Sequence, residues 1–98
     1  MLESKFQSDL IKEIEDKLEG AIVLKNDPNY IQGIPDLSVL YKGKWAALEC
    51  KKNGKASHQA NQDWYVERMD NMSFARFVFP ENKEEVLDEL LRFFTCGS

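Results

Sequence analysis

The stretch from Gly33 to Lys52, GIPDLSVLYKGKWAALECKK, reads as a two-strand hairpin that carries acids where a hairpin normally carries apolar residues. Val39-Leu40-Tyr41 leads into Lys42-Gly43, and Lys44-Trp45-Ala46-Ala47-Leu48 leads out. An X-Gly pair between two strand-like runs favours a tight two-residue turn, because Gly tolerates positive φ. With that turn Tyr41 opposes Lys44, and pairing outward one residue at a time brings Asp36 opposite Glu49. Directly opposed residues point to the same sheet face. Lys51, two residues beyond Glu49, shares that face. Two acids facing each other repel unless something positive lies between them, and a divalent metal is the simplest candidate.

Working outward toward the N-terminus, Phe6, Leu10, Ile14 and Leu18 recur every four residues and Gly20 follows, which predicts an amphipathic helix over Leu2–Leu18. At ~100° per residue, Phe6, Leu10, Ile14, Leu18 and Gln7 fall within roughly 60° of Glu3, while Glu13 and Glu15 only flank the stripe. Glu3 is thus the carboxylate centred on the buried face. An acid in a first turn also suits the positive helix end by itself. Together with the hairpin acids, Glu3 is expected to reach across the core edge toward the metal.

Ala21–Leu24 is a short apolar run that predicts a first strand, and Lys25–Tyr30 is turn-rich loop. Beyond the hairpin, Asn53-Gly54 turns the chain. Ser57, or alternatively Asn61, is expected to cap a helix that runs through Gln62 and Met69 and ends at Asn71. Trp64 and Tyr65 are read as core residues, and Trp45 as core or dimer surface. Phe74–Phe79 predicts a strand, stopped by Pro80. Asn82 is expected to cap a last helix with a core stripe of Val86, Leu87, Leu90, Leu91 and Phe94, before a frayed tail from Thr95 to Ser98. The order αβββαβα predicts a single α/β domain over residues 1–98, a central mixed sheet flanked by helices.

Composition excludes several classes. The chain's 98 residues suffice for one core only. No run approaches the ~20 apolar residues of a membrane span. The charged N-terminal MLESKFQSDL is unlike a signal peptide, so a cytoplasmic protein is expected. The two cysteines, Cys50 and Cys96, have neither zinc-site spacing nor the number for a disulfide scaffold. A net charge of −4 argues against indiscriminate nucleic-acid binding. The charges are unevenly placed, however: Lys42, Lys44, Lys51, Lys52 and Lys55 surround the single acid Glu49. That strip suits a phosphate-bearing ligand, and Lys44, Lys52 and Lys55 are candidate DNA contacts. His58, the lone histidine, is read as a solvent-facing loop residue.

Asp36 and Glu49 are hard oxygen ligands suited to Mg²⁺ or Mn²⁺, with the Cys50 backbone carbonyl between Glu49 and Lys51 as a further ligand and Glu3 as an auxiliary one. Such an ion polarises a phosphodiester. Lys51 is placed to position the attacking water or to stabilise developing charge.

Pro35-Asp36 followed by Glu49-Cys50-Lys51 resembles the signature of the PD-(D/E)XK nuclease superfamily. The nearest likeness is to the VRR-NUC family, in its short stand-alone phage members, through Glu3 and Gln7, the GIPD of Gly33–Asp36, the E-x-K, and a glutamine in the following helix. Gln62 fits that last position better than Gln59. The resemblance spans Glu3 to about Phe94. It implies a restriction-endonuclease-like fold and a metal-dependent, structure-selective endonuclease acting on four-way (Holliday) junctions or other branched DNA. Glu3, Asp36, Glu49, Lys51 and Gln62 would be its catalytic residues. It further implies a homodimer, as symmetric cutting of two strands requires, encoded by a phage and working in the bacterial cytoplasm. The rival expectation is a non-catalytic DNA-binding or assembly module on the same scaffold.

Overall fold

The predicted turn forms as expected. In a computed structural model that describes residues 2–96, Lys42 and Gly43 both take positive φ, +47° and +80°, the pattern of a type I′ hairpin turn. Its twist matches the flanking strands, β2 (Leu37–Tyr41) and β3 (Lys44–Cys50). Their antiparallel register runs from Tyr41 opposite Lys44 to Leu37 opposite Leu48, as the sequence predicts. β1 (Ile22–Lys25) adds antiparallel to β2, and β4 (Ala75–Val78) adds parallel to β3. The four strands lie in the order β1-β2-β3-β4, a mixed sheet.

Period-two alternation along β3 divides the core between two faces. Ala46, Leu48 and Cys50 point to one side with Leu37, Val39 and Val78. That side is covered by α1 (Glu3–Lys17), through Phe6, Leu10 and Ile14, and by α3 (Lys83–Thr95), through Val86, Leu87, Leu90 and Phe94. The other side holds Trp45, Ala47 and Phe77 against α2 (Ala60–Met72), through Val66 and Met69. The α2 helix packs on β3 and β4. The same face of β1 and β2 is left open, with Ile22, Leu24 and Leu40 exposed.

Three local expectations shift. The α2 helix begins at Ala60, with Gln59 and neither Ser57 nor Asn61 at the N-cap: the Gln59 N–H donates to the Gln62 side chain at 3.1 Å, as in a capping box. Its sheet-facing stripe is Gln62, Val66 and Met69, spaced by four and three. This turns Trp64 outward, 54% exposed under the Arg68 guanidinium, so Trp64 is not a core residue. Asn82 sits at the N-cap of α3, but its side chain accepts from the Phe79 N–H and donates to the Phe77 carbonyl, fastening the end of β4 instead of the helix. Of the tail expected to fray, Gly97 and Ser98 lie outside the described residues. No helix among the described residues is long and apolar enough to cross a membrane.

Candidate active site at the open end of the hairpin

The β2–β3 ladder stops at Leu37 and Leu48, and past it the two acids bond in place of the main chain. The Asp36 N–H donates to Glu49 Oε1 at 3.2 Å, and the Cys50 N–H donates to Asp36 Oδ2 at 2.9 Å. The two carboxylates therefore lie side by side on the α2 face, as the register requires. On the other edge β3 stays paired, with the Lys51 N–H on the Val78 carbonyl at 2.8 Å. A side chain at Glu49 or Lys51 thus projects from rigid backbone.

Gln62 closes the group from α2. Its Nε2 donates to Glu49 Oε2 at 2.9 Å, and its Oε1 accepts from Lys51 Nζ at 2.7 Å. Lys51 Nζ also donates to the Ser57 carbonyl at 3.3 Å and lies 3.7 Å from Glu49 Oε2. The Ser57 carbonyl and Gln62 thus take two hydrogens of the Lys51 ammonium, which is only 8% exposed and keeps Glu49 as a close counter-charge. Glu49 is 3% exposed. Burial first, and then the neighbouring Asp36 charge, push its carboxyl up to about 7 against the partial relief of Lys51. Burial also raises Asp36, opposed by the bond from the Cys50 N–H. Burial on the opposite face pushes the Cys50 thiol well up, so it behaves as a core residue.

Gly33 positions this end of the sheet. It takes φ +91°, and a Cβ there would lie 2.3 Å from the Asn61 Cβ. The loop before Asp36 therefore sits flush on the first turn of α2, where Asn61 Nδ2 also reaches the Gln32 carbonyl. That contact fixes Asp36 relative to Gln62. Nothing in the sequence spacing announces it, although a Gly just before Pro35-Asp36 was the available signal.

Beside Lys51 lies a cleft of about 560 Å³ lined by Glu3, Lys51, Lys52, Asn53, Lys55, Ala56 and Ser57. Lys52 and Lys55, two of the three lysines expected as phosphate contacts, line this cleft. Lys44 does not join them. It starts β3, roughly 20 Å of strand from Cys50, and its Nζ donates to the Phe93 and Cys96 carbonyls at 2.9 and 3.2 Å. There it closes the C-terminal end of α3. Glu3 is exposed at the first residue of α1, on the cleft. Among the described residues no three His, Cys, Asp or Glu side chains stand close enough to hold a metal ion, so Glu3 is not assembled with Asp36 and Glu49 as a third ligand. The α1 helix packs on the sheet face opposite to theirs, and Glu3 bears on Glu49 as a nearby negative charge. His58 stacks on Phe77, with ring centroids 4.0 Å apart, and its Nδ1 lies 3.0 Å from Asp63 Oδ1, holding the cleft loop against α2.

No protein-family model, curated protein or solved structure matches the chain. The likeness to VRR-NUC nucleases accordingly rests on the motif residues themselves.

Proposed function

We propose that the chain is a divalent-metal-dependent, structure-selective endonuclease that hydrolyses phosphodiester bonds in branched DNA such as a four-way junction. Its scaffold is read as a restriction-endonuclease-like PD-(D/E)XK core of VRR-NUC type, acting as a homodimer. The observation that carries this reading is the closed circuit of Asp36, Glu49, Gln62 and Lys51 at one end of β3. Burying two adjacent carboxylates is unfavourable, and their bonds to the Asp36 and Cys50 N–H groups offset only part of that cost, since both carboxyls stay raised.

The donor set fits Mg²⁺ or Mn²⁺. Burial and the Asp36 charge raise the Glu49 carboxyl to about 7 even with Lys51 beside it, a strain that a bound cation would relieve, and carboxylate oxygens suit these ions. Asp36, Glu49 and the Cys50 carbonyl would hold the ion. When bound, it supplies Lewis-acid polarisation of a phosphodiester oxygen. The Lys51 amine, oriented by Gln62 and the Ser57 carbonyl, faces the charge that builds on the phosphoryl oxygens. Lys52 and Lys55 carry the adjoining backbone phosphates in the basic cleft. The open face of β1 and β2, with exposed Ile22, Leu24 and Leu40, offers apolar surface of the kind a second subunit covers.

The test is a labelled four-way junction incubated with Mg²⁺ or Mn²⁺. Metal-dependent cleavage by the wild type, lost in Glu49→Ala and in Lys51→Ala, is the expected result. Junction binding without cleavage under either metal would replace the enzyme with a DNA-binding module on the same scaffold.

A further inference from the structure

A second cleft, of about 490 Å³, opens on the same sheet face beside Asp36 and has no part in the circuit above. It is lined by Asn26, Asp27, Tyr30, Ile31, Ile34, Ser38 and Met69. Ile31, Ile34 and Met69 give it apolar walls, and Tyr30, 84% exposed, stands at it with its ring in solvent. An aromatic left that open beside an apolar slot contributes little to the core. It is suited to receive a flat, partly apolar ligand.

The polar groups narrow the ligand class. Asn26 Nδ2 donates to the Pro35 carbonyl and to Ser38 Oγ, both at 2.9 Å, which uses both amide hydrogens. The remaining polar atom of that side chain is its carbonyl oxygen. Asp27 Oδ1 accepts the Asn29 N–H at 2.8 Å, so Oδ2 remains as a second acceptor. The cleft therefore has an apolar slot, an aromatic ring and a surplus of acceptors, one of them anionic. That combination disfavours a phosphate. It complements a nucleobase edge that bears an exocyclic amine.

The position fits as well. Ser38 is two residues along β2 from Asp36 and on its face, roughly 7 Å away, a separation one nucleotide bridges. We propose that this cleft receives an unpaired nucleobase of the DNA strand held at Asp36 and Glu49, stacked on Tyr30 with its amino-bearing edge toward Asn26 and Asp27. This inference rests on the nuclease reading of that site and supplies a source of its selectivity. A base inside a duplex is unavailable to the cleft, whereas a base at a branch point or gap is free to enter. Thymine, which lacks an exocyclic amine, is the poorest occupant.

The experiment measures affinity, by fluorescence anisotropy in EDTA, for a gapped duplex with one unpaired nucleotide carrying adenine, cytosine, guanine, thymine or an abasic site. Wild type and Tyr30→Ala are compared; Tyr30 is exposed, so the variant keeps its fold. Cleavage of the same substrates is then followed in Mn²⁺. The expected result is a loss of about tenfold for the abasic site with wild type, and a similar loss for Tyr30→Ala on base-bearing DNA. The two losses should not add, because each removes the same contact. Equal binding of base-bearing and abasic DNA overturns the proposal, as does a Tyr30→Ala loss that persists in full on abasic DNA. Base-dependent binding with no cleavage of these DNAs or of a four-way junction leaves the cleft standing and removes the nuclease. Cleavage with no base dependence leaves the nuclease standing and removes the cleft. Absence of binding to all of these DNAs overturns the cleft, and the nuclease reading falls with it only if a four-way junction is left uncut as well.

Discussion

The main-chain N–H of Asp36 donates to Glu49 Oε1, while the Asp36 carboxylate takes the N–H of Cys50, the residue after Glu49. Each acid thus holds the backbone beside the other. The ladder that ends at Leu37 and Leu48 is continued by side chains, and the same bonds set the spacing of the two carboxylates. Structure at this end of the sheet and placement of the site are one set of hydrogen bonds.

Replacing these groups separates chemistry from stability. Glu49→Gln keeps the shape and an acceptor for the Asp36 N–H but removes the ligand charge. We expect junction cleavage to fall at least about a hundredfold, with thermal stability at pH 8 unchanged or raised because a buried charge is gone. Lys51→Ala is expected to lose about 10²–10³ in rate and also to destabilise, since Glu49 Oε2 loses its cationic neighbour. Single-turnover cleavage and calorimetry on the same preparations distinguish the two effects.

The pH dependence of the metal-free protein follows from the same pair. Glu49 is raised from 4.5 to about 7 by burial and by Asp36. Between those values the folded chain holds a proton that the unfolded chain has released, so this group's stabilisation is lost as pH rises through the window. Asp36, also raised by burial, adds in the same direction from 3.8 upward. Wild type should lose on the order of 1–3 kcal/mol between pH 5 and pH 8 relative to Glu49→Gln. Mg²⁺ or Mn²⁺ should raise Tm more at pH 8 than at pH 5, because at pH 5 it must displace a proton. A wild-type pH profile parallel to that of Glu49→Gln would contradict the shift.

Gln62→Ala removes the bridge between Glu49 and Lys51 and the acceptor for the Gln59 N–H at the helix start. With buried partners left unpaired, a cost of about 1–3 kcal/mol is expected. Activity should fall while the salt dependence of DNA binding stays the same, because no phosphate contact is lost. Denaturant melts and binding isotherms over a salt series report the two quantities.

Gly33→Ala is expected to destabilise by about 2–4 kcal/mol, combining a clash with Asn61 and an unfavourable φ. Gly43 has positive φ but nothing within 4 Å of an added Cβ, so Gly43→Ala should cost only the conformational part, about 1 kcal/mol. Adding Asn61→Gly to Gly33→Ala should relieve the contact with the Asn61 Cβ. It should leave the φ penalty, the tight approach to the Asn61 backbone and the cost of a helical glycine, about 1 kcal/mol. Urea unfolding of the four proteins checks the ordering.

The lysines should fall into two classes. Lys52→Ala and Lys55→Ala are each expected to lower the slope of log K against log salt by about one, the mark of one phosphate contact. Lys44→Ala should leave that slope unchanged and lower Tm, since its amine holds the carbonyls of Phe93 and Cys96. A changed slope for Lys44→Ala would place DNA at the hairpin turn instead.

What the sequence determined by itself is local. A two-residue turn with Gly43 and strict alternation fix the register of β2 on β3, and the register alone brings Asp36 beside Glu49 with Lys51 on their face. Helical periodicity likewise identifies the buried stripes of α1 and α3. What only the tertiary structure decided concerns residues far apart in the chain. It sent α1 to one sheet face and α2 to the other, which leaves Glu3 outside the acidic pair and brings Gln62 onto it. It divided five neighbouring lysines between two ends of the sheet, and it turned Trp64 to solvent. It also pressed Gly33 onto Asn61. Strand pairing across a tight turn follows from backbone geometry within a few residues. The side on which a helix packs, and hence the desolvation that lifts Glu49, is set by the burial of the whole core at once.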